Sequence, residues 1–176
     1  MSFLEVLYFI VPSALLYATP LILTGIGALF SERAGVIGLG VEGLMIVGAF
    51  TGIYINLEYY ADFGKNVIWL SLLAALLAGA VFSLIIAVAA VTFRADQTVT
   101  GVAVNMLAAA ITVFLVKLIY GKGQTDMVSA PLQRFEIPFL SDIPFLGPLL
   151  FHNVYSTTII AFIVAIGAWF VLYKMP

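Results

Sequence analysis

The chain has 176 residues, 64% of them hydrophobic and only 9% charged, where a soluble domain has about a quarter of its residues charged. A soluble fold could not cover that much apolar surface. The net charge of −2, with no run of Lys or Arg, excludes a nucleic-acid partner, which needs a basic stripe to displace counterions. The absence of Cys removes disulfides, thiolate metal sites and thiol nucleophiles.

A helix needs about 20 mostly apolar residues to cross roughly 30 Å of hydrocarbon. Five runs qualify: 6–30, 36–57, 67–93, 99–120 and 154–173. In lipid every backbone polar group must be satisfied internally, and runs of this length without strict alternation can only be helices. The fold class is therefore all-α, a polytopic transmembrane helical bundle of about five spans forming a single region over 1–176. Glu42 and Lys117 are the charged residues inside these runs. The other charges fall on connections and ends, as the cost of an ion in hydrocarbon demands.

The first run follows residues 1–5, which lack the basic start of a secretory signal, and it is too long for one; it reads as a retained helix. A tight charged turn, 31–35, leads into the second run. That run holds Glu42 near its middle, among Gly35, Gly38, Gly40, Gly43, Gly48 and Gly52. A carboxylate at that depth faces protein or a water-filled cavity, and three roles are open to it: lining or gating a solute pathway, a structural hydrogen bond to a neighbouring helix, or a proton relay. Gly38, Gly40, Gly48 and Gly52 read as helix-packing positions, with Gly48 and Gly52 at GxxxG spacing. So many glycines also weaken a helix, leaving this span open to a break or a re-entrant course, as in transporters near their substrate path. Residues 38–43 match G-x-G-x-x-G by spacing. The preceding strand and soluble βαβ context of a dinucleotide site are missing, so nucleotide binding is discounted.

A short polar loop, 58–66, precedes the third run, which is uncharged and begins near Trp69. With Tyr54, Tyr59, Tyr60 and Tyr155 near other span ends, it forms the pattern of an interfacial aromatic belt. The second tight turn, 94–98, offers Asp96 or Thr98 as a cap for the next helix. The fourth run sets Gly101, Asn105, Ala108, Ala109 and Thr112 on one helical face, suited to close packing and hydrogen bonding across the bundle or to contact with a polar solute. The long segment 121–153 contains Pro131, Pro138, Pro144 and Pro148 and a small duplication, 137–140 and 143–146. The prolines exclude a sixth span. Such a loop is a packing lid or a docking surface for a partner. His152 has no second ligand at metal spacing and reads as an interfacial residue, so no metal site is expected. No nucleophile with its base is present, so the chain is not expected to be an enzyme. Lys and Arg tip the orientation slightly toward an outside N-terminus, with 121–153 extracytoplasmic.

Two blocks carry a resemblance. Ser31-Glu32-Arg33-Ala34-Gly35-Val36-Ile37-Gly38-Leu39-Gly40-Val41-Glu42-Gly43-Leu44-Met45, continuing to Gly48-Ala49-Phe50, resembles a signature segment of permease subunits of ABC importers for nucleosides and simple sugars, within the branched-chain amino acid and ribose-like permease superfamily. Phe93-Arg94-Ala95-Asp96-Gln97-Thr98-Val99-Thr100-Gly101-Val102-Ala103-Val104-Asn105 resembles the second block of that family at the matching interval. Gly38 stands where the family usually has Asn, so a polar contact made there would be absent. The chain also ends where the family continues into the coupling helix, so it is expected to be the N-terminal half of a permease.

The resemblance implies a multi-pass protein of a prokaryotic cytoplasmic membrane. Its partners would be a second permease subunit, cytoplasmic ATPase subunits and an extracytoplasmic solute-binding lipoprotein, besides membrane lipid. The sequence lacks G-x-x-x-x-G-K-[ST], so no cofactor is expected in this chain and ATP would be bound by partner subunits. Glu42, Gly43, Asn105, Gly101 and Thr112 would line or gate the path, and 121–153 would meet the solute-binding protein. Nucleoside, ribose-like sugar and flavin-type vitamin all suit a path built from backbone, Asn and one carboxylate. Two other readings remain: a half or subunit of an ATP-independent secondary transporter or channel using Glu42, and a structural membrane subunit.

Overall fold

A computed structural model describes residues 3–132, 134–135 and 154–174. The helices are α1 (Phe3–Arg33), α2 (Val41–Glu58), the single turn α3 (Tyr60–Phe63), α4 (Val67–Ala87), α5 (Gln97–Tyr120) and α6 (Ser156–Lys174). A 3-10 turn, Gly64–Asn66, links α3 to α4, and α4 runs on into a π-helical turn, Val88–Thr92. Arg134 and Phe135 (β1) pair antiparallel with Tyr155 and Val154 (β2), a ladder of two residues a side that leaves the architecture all-α. Five stretches are long and apolar enough to cross a membrane: Val6–Arg33, Val41–Glu58, Tyr60–Thr92, Gln97–Tyr120 and Ser156–Lys174. The expected duplication, His152, and Pro138, Pro144 and Pro148 lie outside the described residues.

The chain divides into two compact units. One is Gly27–Pro131; the other contains the described residues before Gly27 and after Pro131. In the first unit α2 packs against both α4 and α5. Gly48 and Gly52 bring the α2 backbone against α4, where an added Cβ would stand 3.4 Å from Ala75 O and from Ser71 O respectively. In hydrocarbon there is no hydrophobic gain from helix association, so contact this close provides the van der Waals attraction instead. On α5 the buried residues Gly101, Val104, Ala108 and Val116 form a stripe, because positions three, four or eight apart share a helix face. In the second unit a buried hydroxyl pair joins α1 to α6, with Thr19 Oγ1 and Thr158 Oγ1 2.9 Å apart. Thr19 also donates to Leu15 O at 2.8 Å. A hydroxyl has one proton, so Thr158 is the donor of the pair.

The helix ends follow local chemistry. α1 stops in a Schellman motif: Gly35 takes φ +83, its N–H donates to Glu32 O (3.0 Å), and Val36 N–H donates to Ser31 O (3.0 Å). The left-handed conformation suits Gly, which has no Cβ to clash. Asp96 caps α5, its Oδ1 accepting from Thr98 N at 2.8 Å and Val99 N at 3.1 Å. Of the two caps offered by the sequence, the carboxylate is the one used.

Candidate functional site at the break in the second span

The second apolar run becomes helical late. Residues 34–40 are non-helical and α2 begins only at Val41, so Glu42 lies in the first turn of a helix and not midway along one. Non-helical backbone leading into an apolar span needs partners from the protein wherever lipid replaces water. Two carboxamides on α5 supply them. Gln97 accepts from Ile37 N–H (2.8 Å) and donates to Gly35 O (3.3 Å). Asn105 accepts from Gly43 N–H (2.7 Å) and donates to Leu39 O (3.0 Å). Gly40, the N-cap of α2, has no side chain to serve the exposed N–H groups. Asn105 therefore caps α2 from a neighbouring helix, performing for Gly43 what a Ser or Asp at the N-cap would do locally.

These contacts set where α2 starts along α5. Gln97 opens α5 and Asn105 lies eight positions further on, about 12 Å along a helix axis. The segment 35–40 thus descends beside α5 from its first residue to the level of Asn105, a third of the way along a helix of 24 residues, before α2 starts. α2 has 18 residues, about 27 Å, slightly less than the roughly 30 Å hydrocarbon thickness.

Small residues make the descent possible. A Cβ on Gly101 would stand 2.7 Å from Leu39 Cβ and 3.1 Å from Leu39 C, so the loop backbone lies directly on α5. Gly43 is held as closely, its Cβ position 3.0 Å from Asn105 Oδ1 and 3.1 Å from Ala108 Cβ. Gly38 faces α1, 3.0 Å from Ala28 Cβ, and a Cβ on Gly40 would run into Ile86 Cδ1 of α4. The residues read as packing positions and those read as path residues form one structure: Gly38, Gly40, Gly43, Gly101 and Asn105 together hold the break. An Asn in place of Gly38 would have to displace Ala28.

Glu42 points away from this packing. It is exposed, and no hydrogen bond or ion pair forms to it among the described residues. It stands beside the N–H groups of Val41 and Glu42, which a helix start leaves without intrahelical partners, and the helix dipole favours negative charge there. Thr112 is half-buried and lies seven positions beyond Asn105, about 10 Å away along α5, so it stands apart from the cluster. Among the described residues no group of three or more His, Cys, Asp or Glu side chains could hold a metal ion.

Two contributors were missed in the sequence. Gln97 sits within a charged turn where Asp96 drew the capping assignment. Asn56, at the far end of α2, is buried, donates to Ala130 O and accepts from Ala130 N–H, each at 3.1 Å. The available signal was a carboxamide just before one apolar run, Gln97, and one in the last turn of another, Asn56, and a polar residue at a span end reads as interfacial.

Five apolar stretches long enough to span a membrane, the second entered through a non-helical segment laced to a neighbouring helix, make this a polytopic helical membrane protein. Residues 10–176 match the family described as branched-chain amino acid transport system / permease component, and the chain belongs to that family. It is 55% identical over 176 residues to the guanosine ABC transporter permease protein NupQ of Bacillus subtilis, covering 100% of this chain and 55% of the relative. It is 41% identical over 174 residues to the nucleoside ABC transporter permease protein NupC of Lactococcus lactis, covering 99% of this chain and 55% of that protein. It is 32% identical over 164 residues to the putative glucose ABC transporter permease protein TsgC13 of Haloferax volcanii, covering 89% and 45%. The chain thus spans about half the length of the curated relatives it matches. No solved structure matches it significantly. With five apolar spans and these relatives, it is a multi-pass protein of the cytoplasmic membrane.

Proposed function

We propose that this chain is part of the permease of an ABC importer that moves nucleosides, with the solute path passing the broken start of α2. The observation that carries the reading is the exposed Glu42 at a helix start held inside the span by Asn105. A carboxylate accepts hydrogen bonds and helix-start N–H groups donate them. Together they suit a neutral solute rich in both donors and acceptors. A nucleoside is such a solute, and the permeases sharing 55% and 41% identity carry the names guanosine and nucleoside. The partners in this reading are a second permease subunit, ATPase subunits that bind ATP, and an extracytoplasmic solute-binding lipoprotein.

The test is uptake by the whole transporter in cells lacking their own nucleoside permeases, with labelled guanosine, uridine, ribose and glucose in parallel. Energised uptake of nucleosides in preference to both sugars is the expected result. Glu42→Gln lowers it by about tenfold, the loss of one charge-assisted hydrogen bond to solute, with the amount of assembled complex unchanged. Equal uptake by parent and variant removes Glu42 from the path, and preference for a sugar overturns the assignment of solute.

A further inference from the structure

α2 is fastened at both ends by carboxamides, and the second fastening has no place in the solute path described above. Asn56 lies 13 positions beyond Gly43, about 20 Å along the helix, on the opposite side of the apolar layer from the turn that precedes the break. Its side chain is 5% exposed, and both functional atoms of the carboxamide are engaged with one residue, Ala130, itself 6% exposed. The pairing imitates a strand partner: it takes the N–H and the C=O of the same backbone unit. Between the two clamps α2 lies on α4 through Gly48 and Gly52, backbone against backbone, with no flexible side chain to absorb a shift. Ala130 closes a non-helical segment, 121–131, that is otherwise largely exposed, with Met127 at 94% and an ion pair between Lys122 and Asp126 on its surface.

We infer that Asn56 is a positioning residue for the solute path: by binding Ala130 it makes segment 121–131 and α2 move as one body, so that a force on the segment resets Glu42 about 20 Å away. A hydrogen bond alone would hold one point. A donor and an acceptor on one residue also fix the direction of the segment, and burial of both groups makes release costly because each would be left unsatisfied.

The test rests on the permease reading for one of its two measurements and is independent of it for the other. The sequence has no Cys, so spin labels can be attached to cysteines introduced at Met127 and Ala49, both exposed and outside the proposed path. The parent in lipid nanodiscs gives one narrow distance distribution; Asn56→Ala and Asn56→Asp broaden it, while a control pair at Ala49 and Val113, spanning α2 and α5, stays narrow. In the whole transporter the same variants lower the maximal rate of nucleoside uptake by up to about 100-fold, the scale set by misplacing a group from a distance, with the half-saturating solute concentration unchanged. A destabilised fold would instead lower the amount of assembled complex and broaden both label pairs, and that result overturns the inference. Unchanged label distances in both variants overturn it too. So does a broadened Met127 pair combined with normal uptake by a variant of a parent that transports. A parent that moves no nucleoside leaves the label distances to decide the clamp and counts against the permease reading alone.

Discussion

Asn105 shows how one neutral side chain can hold an irregular backbone inside an apolar layer. Its oxygen caps the Gly43 N–H and its nitrogen serves the Leu39 carbonyl, at 2.7 and 3.0 Å. A carboxylate could do only the first, because it has no donor. Asn105→Asp is therefore expected to behave nearly as badly as Asn105→Ala, each costing about 1–2 kcal/mol, the scale of hydrogen bonds between membrane helices. Thermal unfolding of the purified chain in detergent measures it, and an Asp variant as stable as the parent would show that the Leu39 carbonyl finds another donor. Gly101 is the steric counterpart. A methyl there meets Leu39 Cβ at 2.7 Å and backbone at 3.1 Å, and overpacking of this kind costs about 1–3 kcal/mol. Gly101→Ala should lower the unfolding temperature, whereas Gly79→Ala on α4, where nothing lies within 4 Å, should not. Glu42 and Asn105 could be read from the sequence because each is a polar group stranded in apolar surroundings, which demands an explanation. Gln97 and Asn56 could not, because they stand where polar residues need none.

At the scale of elements, the glycines left the second span open to a break, yet α2 is continuous from Val41 to Glu58 and the non-helical stretch lies before it. Nothing local distinguishes Gly38 or Gly40 from Gly48 as the point of failure. The location is set by tertiary partners: Gln97 and Asn105 accept and donate at residues 35 to 43, while Gly48 and Gly52 remain helical because α4 packs on them. Single cysteines placed from 34 to 46 test this directly. Reactivity toward a small water-soluble thiol reagent should lack helical periodicity from 35 to 40 and acquire a 3.6-residue period after Val41. A helical period across the whole series would restore the unbroken helix. The hydroxyl pair of the other unit carries a smaller expectation. Thr158→Val removes the donor to Thr19 and should destabilise by about 0.6 kcal/mol, the average for such bonds between membrane helices. A double variant with Thr19→Val should cost less than the sum of the two single variants, since both lose the same hydroxyl pair and Thr19→Val adds only the loss of its bond to Leu15 O.

For the molecule as a whole, the five apolar runs located the spans, and their ends shifted where tertiary contacts or local turns intervened. The third is the instructive case. Its apolar core was expected at 67–93, yet the helical stretch runs over Tyr60–Thr92, 33 residues, about 50 Å if it were straight and helical throughout. Hydrocarbon accounts for roughly 30 Å of that, so the stretch must tilt or extend into the headgroup region. Gly64, at φ +53, bends its first part. Trp69, 63% exposed near the start of α4, offers a polar N–H and an apolar ring, which favours the boundary between headgroups and chains. If Trp69 sets the depth of this span, the turns before it lie in the headgroups and the uncharged helix after it fills the hydrocarbon. The chain has two Trp, so a Trp169→Phe variant leaves Trp69 as the only indole. Its fluorescence in bilayers should be quenched more strongly by lipids brominated near the headgroup than by lipids brominated deep in the chain. Stronger quenching from the deep position would place residues 60–66 inside the hydrocarbon, where Asp62 and Lys65 would be buried at a cost of several kcal/mol that nothing in this segment offsets.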